Sequence, residues 1–185
     1  MKDQEEVPVA VGSAILPFTD ELSQLFGEHH KRVLSAAWRI TGNRSDAEDV
    51  AQAVFLRLAG AQGQMANAGS YLYRAAINGA LDLLRRRKAA RAETLDQAAD
   101  LVGAGPGSSP EAETAGRELG GLLRMAIGEL PPRAAEMFVL RFVEELGNRE
   151  IAALMGTSAA VVAVTVHNAK SRLRKRLSEL ERGKL

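Results

Sequence analysis

From Asp20 onward the apolar residues return at spacings of three and four, through Leu22, Leu25, Phe26, Val33, Ala37 and Ile40. That period matches an α-helix with one buried stripe. The helix is predicted to open near Thr19, where Asp20 and Glu21 complement the positive end of its dipole, and to stop before Gly42-Asn43. Trp38 is expected in the core. A second helix is predicted from Ser45, because Ser45-Asp46-Ala47-Glu48 has the form of a capping box: the serine hydroxyl accepts from an amide three residues on, and the glutamate reaches back. Along it Ala47, Val50, Ala51, Val54 and Leu58 point one way, Glu48, Asp49, Gln52 and Leu56 the other, with Phe55 at the flank. An outward leucine beside an acidic pair suits a protein-docking face; single exposed leucines are also ordinary on protein surfaces.

A third helix is predicted from a cap at Ser70 to about Lys88. Leu72, Ala76, Ala80 and Leu83 form one apolar row and Tyr73, Ile77, Leu81 and Leu84 another. Between them Arg74, Asn78, Asp82 and Arg85 recur at four, four and three residues, a polar stripe leading into Arg85-Arg86-Arg87-Lys88. Arginines hold phosphates, and an asparagine pairs with base edges once a strand is opened. Helix-surface pairing with Asp82, worth a few tenths of a kcal/mol, is the alternative use of Arg74 and Asn78.

Further on, a helix is predicted around Leu119 to Glu129. Leu130-Pro131-Pro132 opens the next, which runs through Phe138 and Val139 to about Val143. A short helix from Asn148 to Met155 follows, then the turn Gly156-Thr157-Ser158 with Ser158 as cap, then a long helix to about Leu180. This order reads as helix-turn-helix. On the last helix Val162, Val166, Ala169, Leu173 and Leu180 face inward, whereas Ala160, Ala163, Val164, His167, Lys170 and Arg174 lie around the opposite surface. Small residues first and basic residues later suit a helix whose N-terminal half enters the major groove.

Composition agrees with an all-α fold. Aromatics make up only 4% of the 185 residues, while apolar residues reach 46%. Residues 96 to 116 are rich in Gly, Pro, Ser and acids, as a linker would be. The expected organisation is therefore an N-terminal extension over 1–17, disordered or regulatory, a helical bundle over 18–92, a flexible linker over 93–116 and a helix-turn-helix domain over 117–185. The net charge of +1 conceals two basic clusters, Arg85 to Arg91 and Lys170 to Arg176, each a place for a polyanion or else a solvated helix face. With no Cys, a disulfide framework and thiolate chemistry are excluded. The N-terminus lacks the basic start of a secretory signal, and no apolar run approaches the roughly 20 residues that span a bilayer. A soluble cytoplasmic protein without membrane insertion is expected.

Three segments carry a family resemblance. DAEDVAQAVFLRL at 46–58 looks like the polymerase-binding helix of sigma-seventy family proteins. SYLYRAAINGALDLLRRRK at 70–88 resembles the neighbouring helix that engages the minus-ten promoter element. LPPRAAEMFVLRFVEELGNREIAALMGTSAAVVAVTVHNAKSRLRKRL at 130–177 is similar to the region that reads the minus-thirty-five element. Together they cover most of residues 20 to 180. Their order, and the missing intervening domain, resemble the extracytoplasmic-function group of RNA polymerase sigma factors.

The resemblance implies a transcription initiation factor with no catalytic residues, metal or cofactor. Glu48, Asp49, Gln52, Phe55 and Leu56 would dock on the coiled-coil clamp helices of the polymerase largest subunit. Gln62, Gln64 and Asn67, in the loop before Ser70, would help form a pocket for a base flipped from the nontemplate strand, with Asn78 contributing from the helix. Arg74 and the Arg85, Arg86, Arg87 and Lys88 block would hold the minus-ten DNA. Ser158, Ala160, Ala163, Val164, His167, Lys170 and Arg174 would face the minus-thirty-five element, with that domain resting on the polymerase flap. The linker would thread the polymerase cleft. An anti-sigma factor that covers these surfaces is a further expected partner, motivated by an exposed Phe55-Leu56 patch. Relatives often carry Lys or Arg early in the recognition helix, where this chain has Ala163, Thr165 and Asn168, so methyl contacts and DNA shape would take the place of direct base hydrogen bonds.

Two other classes fit less well. A metal-dependent nuclease built on Asp46, Glu48 and Asp49 lacks a second carboxylate or His cluster, and the adjacent His29 and His30 project apart on a helix. A polymerase-independent helix-turn-helix regulator leaves the Asp49, Gln52 and Phe55 face without a purpose.

Overall fold

The computed structural model describes residues 16–60, 67–93 and 110–182. Seven α-helices and no strand occur among the described residues: α1 (Leu16–Thr41), α2 (Arg44–Gly60), α3 (Ala68–Glu93), α4 (Pro110–Gly128), α5 (Pro132–Phe142), α6 (Asn148–Met155) and α7 (Ala159–Arg182). The all-α expectation is met. α1 begins at Leu16, three residues ahead of the predicted start, because Pro17 falls in the first turn, where its missing N–H is not needed. α4 likewise starts on a proline, inside the segment read as linker.

α1 packs against both α2 and α3. Val33, Ala36, Ala37 and Ile40 of α1 meet Ala47, Val50, Ala51 and Val54 of α2 and Leu72, Ala76, Ile77, Ala80 and Leu81 of α3, all buried. Alanines at the crossing points bring the backbones close. At Gly79 a Cβ would stand 3.1 Å from Cγ1 of Val50, so the α2–α3 approach uses the missing side chain. Burying each of Leu72, Ile77 and Leu81 contributes roughly 2 kcal/mol.

The remaining helices build around α7, which packs on α4, α5 and α6. Met137, Val139, Leu140, Ile151, Val162 and Leu173 fill this part of the core. α6 and α7 meet at 106° across Gly156-Thr157-Ser158, an angle within the range of helix-turn-helix units. Gly156 takes φ +60°, where an L side chain is strained, and the Ser158 hydroxyl accepts from the Val161 amide at 3.2 Å. α3 then joins the two sets of helices, contacting α4 and α5.

Several local expectations are corrected. The capping box does not form: Asn43 caps α2, its Oδ1 accepting from the Asp46 amide at 3.2 Å, and Ser45 lies within the helix. Asn67 caps α3 in the same way, accepting from the Ser70 amide at 3.1 Å, so Ser70 is also helical. In both places the Asn side-chain carbonyl satisfies a free first-turn amide, so the helix begins ahead of the serine. Trp38 is 48% exposed, since Val33, Ala37 and Ile40 define the buried direction and residue 38 lies a further 100° round. Phe26 is 45% exposed although it falls on the apolar stripe, because the helices packed on α1 leave one side of its first half open. Phe55, expected as part of an exposed patch, is buried.

Candidate docking and nucleic-acid surfaces

The open side of α1 and the end of α2 enclose a groove of about 500 Å³. Leu22 and Phe26 from α1 and Phe55 and Leu56 from α2 supply apolar walls, and His30, Glu48 and Gln52 edge it. Phe55 is the floor: its ring lies 4.8 Å from that of Phe26 and 6.2 Å from that of His30. Leu56 stands on the rim, 65% exposed. Glu48 accepts from Arg44 Nε at 2.8 Å, an exposed pair that raises the Arg44 pKa through the hydrogen bond and the charge. Asp49, on the same helix, is exposed and does not line the groove. Leu22, Phe26 and His30 add an α1 wall that the sequence candidates do not include; the four-residue spacing of Phe26 and His30, which puts both on one side of the helix, is the signal for it along the chain.

α3 carries the polar stripe into the middle of the molecule, and the structure separates its members. Arg74 Nε donates to Glu136 Oε1 at 2.7 Å and its Nη1 to the Leu154 carbonyl at 3.2 Å. Arg85 pairs with Asp82 at 2.6 Å, but its Nε and Nη2 are buried with no hydrogen-bond partner. Arg87 donates to the buried Asp46 at 2.6 Å. Lys88 reaches Glu129 at 3.3 Å. Arg86 is exposed, and Asn78 is half-buried. The four basic residues read as one phosphate-binding block are thus largely turned to carboxylates of the protein itself. Asn67 keeps an exposed position but spends its Oδ1 on the α3 cap; Gln62 and Gln64 lie outside the described residues.

Beside Arg74, the Tyr73 hydroxyl donates to Glu144 Oε2 at 2.6 Å, and Arg39 Nη2 lies 3.3 Å from the same oxygen. Burial first, then the bond to the carboxylate, pushes the Tyr73 phenol well above its ordinary range. Burial also opposes the charge of Glu129, yet hydrogen bonds from Arg176 and Lys88 outweigh it and hold that carboxyl below its usual value. Arg124 is lowered by burial and by Arg87 nearby.

On α7 the predicted outer surface is present: Ser158, Ala160, Ala163, Val164, His167, Lys170 and Arg174 are all exposed. Val161 joins them and was not anticipated; with Val164, 62% exposed, it makes the leading half of the helix apolar. Lys170 Nζ lies 5.7 Å from the ring centre of Phe142. Side chains at the start of a second helix set at 106° to the first have the placement by which helix-turn-helix proteins enter the major groove. Among the described residues no group of three or more His, Asp or Glu is arranged to hold a metal, and no single helix is long and apolar enough to cross a membrane.

Two family descriptions match the chain, Sigma-70 region 2 over residues 25–90 and Sigma-70, region 4 over residues 121–173. The first region coincides with the α1–α3 unit and the second with the helix-turn-helix. The chain is 33% identical to the ECF RNA polymerase sigma factor SigE of Mycolicibacterium smegmatis over 90% of its own length and 64% of that relative's. It is 32% identical to the RNA polymerase sigma factor CarQ of Myxococcus xanthus over 88% of its length and 92% of CarQ. Among solved structures, the sigma factor RpoE in complex with the anti-sigma factor NepR from Bartonella quintana aligns with a TM-score of 0.45 and 17% identity, over 87% of this chain and 96% of that one. The matches to Sigma-70 regions 2 and 4, together with the identity to SigE and CarQ, make the chain a member of the extracytoplasmic-function group of the sigma-70 family of RNA polymerase sigma factors.

Proposed function

We propose that this chain is a promoter-specificity subunit that binds core RNA polymerase in the cytoplasm through the α1–α2 groove, with Leu56, Gln52 and Glu48 around its rim, Phe55 as its floor and Asp49 exposed on the same helix. The observation that carries the reading is the groove itself, an apolar cleft with an exposed leucine and acidic and amide side chains at its edge, on the helix that matches region 2. A partner helix of mixed apolar and basic character, such as a clamp coiled coil, fits that chemistry. In this reading residues 18–92 act on the minus-ten element and residues 117–185 on the minus-thirty-five element and the polymerase flap, with 93–116 connecting them.

The Ala160, Val161, Ala163 and Val164 surface would enter the upstream major groove, where thymine methyls are the apolar feature available, and Lys170 and Arg174 would hold phosphates. Arg74, Asn78 and Arg86 would attend the opened nontemplate strand, whose flipped base costs a few kcal/mol of stacking that protein contacts offset. An anti-sigma protein inserting apolar side chains between Phe26 and Leu56 would silence the factor by occupying the polymerase's place.

The test is binding of the purified chain to core polymerase, beside a variant with Asp49→Ala and Gln52→Ala. Tight binding by the parent and weakened binding by the variant support the reading. A folded parent chain that ignores core polymerase at moderate salt rejects it and leaves an independent DNA-binding regulator.

A further inference from the structure

α4 carries a cation to which the protein gives no counter-charge. Arg124 is half-buried, and its guanidinium lies over the bare backbone of Gly42, in the turn between α1 and α2. A Cβ on Gly42 would stand 2.6 Å from Nη1 and 2.8 Å from Cζ, so the group occupies space that any side chain there would fill. Gly120, one turn back on α4, leaves room as well, its Cβ position being 3.4 Å from the same nitrogen. The turn beneath is held in shape by the buried Thr41, whose hydroxyl donates to the Asn43 carbonyl at 3.0 Å. Among the described residues no acid offsets the charge: burial and the neighbouring guanidinium of Arg87 act on Arg124, and both oppose it. The nearby carboxylates are committed elsewhere. Asp46 accepts from Arg87 Nη2 at 2.6 Å, and Glu48 accepts from Arg44 Nε at 2.8 Å. Arg74 and Arg176, also half-buried, each meet a glutamate, so Arg124 departs from the pattern of its own chain.

We propose that Arg124 and Arg87, over the Gly42 turn, form a binding site for a small phosphate-bearing anion, either free phosphate or the phosphate end of a nucleotide. Desolvating a cation is costly unless a partner and hydrogen bonds compensate it. The C-terminal end of α1, just before Gly42, offsets about half a charge through the helix dipole, which leaves the rest for a ligand. A guanidinium suits phosphate because its planar fork of donors meets two oxygens at once. Arg87 spends Nη2 on Asp46, and its side chain is 47% exposed, which leaves its other donors within reach of the same anion. One phosphate would therefore tie α4 to α3 across the start of α2. The three groups meet only in the folded chain, so the anion binds the native state and stabilises it. The site is separate from the promoter role and does not depend on it.

The test is thermal melting of the full chain in sodium phosphate against sodium chloride, at matched pH and ionic strength, with the phosphorus NMR line width as a second readout. At a phosphate concentration tenfold above Kd the melting temperature should rise by about 4 °C, and the phosphorus resonance should broaden. Arg124→Gln should abolish both effects. That variant should fold and be at least as stable as the parent in chloride, because it discards a cation that nothing pairs. Arg86→Gln, which removes an exposed arginine next to Arg87, should keep the full response and so separates this site from general attraction to basic surface. A nucleoside diphosphate is titrated in parallel. A larger response than to phosphate assigns the ligand to nucleotides, an equal or smaller one to free phosphate, and each supports the site if Arg124→Gln removes it. A parent chain indifferent to both anions overturns the proposal, as does an unchanged response in the Gln variant. Loss of stability by that variant in chloride would mean that Arg124 has an internal partner, and overturns it too.

Discussion

Arg74 on α3 and Glu136 on α5 are 62 residues apart in sequence and 2.7 Å apart in space. Glu136 is 5% exposed, a carboxylate that would sit in the core unneutralised without its guanidinium partner.

Removing the partner is therefore more harmful than removing the pair. Arg74→Leu should lower the unfolding free energy by about 2 kcal/mol, whereas adding Glu136→Leu should recover most of it, since two apolar groups leave no stranded charge. Urea midpoints of the parent, the two singles and the double measure the cycle. Additive effects would mean that the pair is solvated and uncoupled.

Neighbouring residues on α2 should respond in opposite ways. Phe55 is buried against Phe26, and Phe55→Ala should cost about 3 kcal/mol of stability. Leu56 is outward, and Leu56→Ala should leave stability within about 0.5 kcal/mol of the parent. On the proposed docking role it should nonetheless weaken core-polymerase binding about tenfold. Thermal melts and a polymerase titration separate the two; a Leu56→Ala chain that binds like the parent removes this leucine from the interface.

Acid should loosen the contacts of Glu129. Its folded-state pKa lies below the ordinary value of 4.5, so its contribution to stability is complete above that value and disappears as pH falls through the folded one. Between roughly pH 5 and pH 3 the parent should lose stability faster than Glu129→Gln, which has no proton to take up. Chemical denaturation at several pH values checks this, and parallel curves would refute it.

For α7, Lys170→Ala and Arg174→Ala should each reduce the slope of log affinity against log salt by about 1 on any duplex, as expected of phosphate contacts. Val164→Ala should leave that slope unchanged and lower affinity only for sites that place a thymine methyl against it. Replacing that thymine with deoxyuridine should abolish the difference between Val164 and Ala; a persistent difference would rule out methyl contact.

The helices, their inward rows and the turn at Gly156-Thr157-Ser158 were legible along the chain because each depends on residues within a few positions of one another. Period alone placed Val162, Val166, Ala169 and Leu173 inside, and all are buried. The caps lie two or three residues ahead of the expected serines, because the side chains of Asn43 and Asn67 take the Asp46 and Ser70 amides and start each helix earlier.

What period could not reveal is which partner a side chain meets. Phe55 and Leu56 are neighbours of similar hydropathy, and only the packing of α1 over α2 makes one a floor and the other a rim. Arg74, Arg87 and Lys88 look like a single basic stripe until distant Glu136, Asp46 and Glu129 are brought to them. Helix type and inward face follow from local sterics and the burial of apolar area, which sequence spacing encodes. The use of each charge is decided by contacts between residues tens of positions apart, and those exist only once the chain has closed on itself.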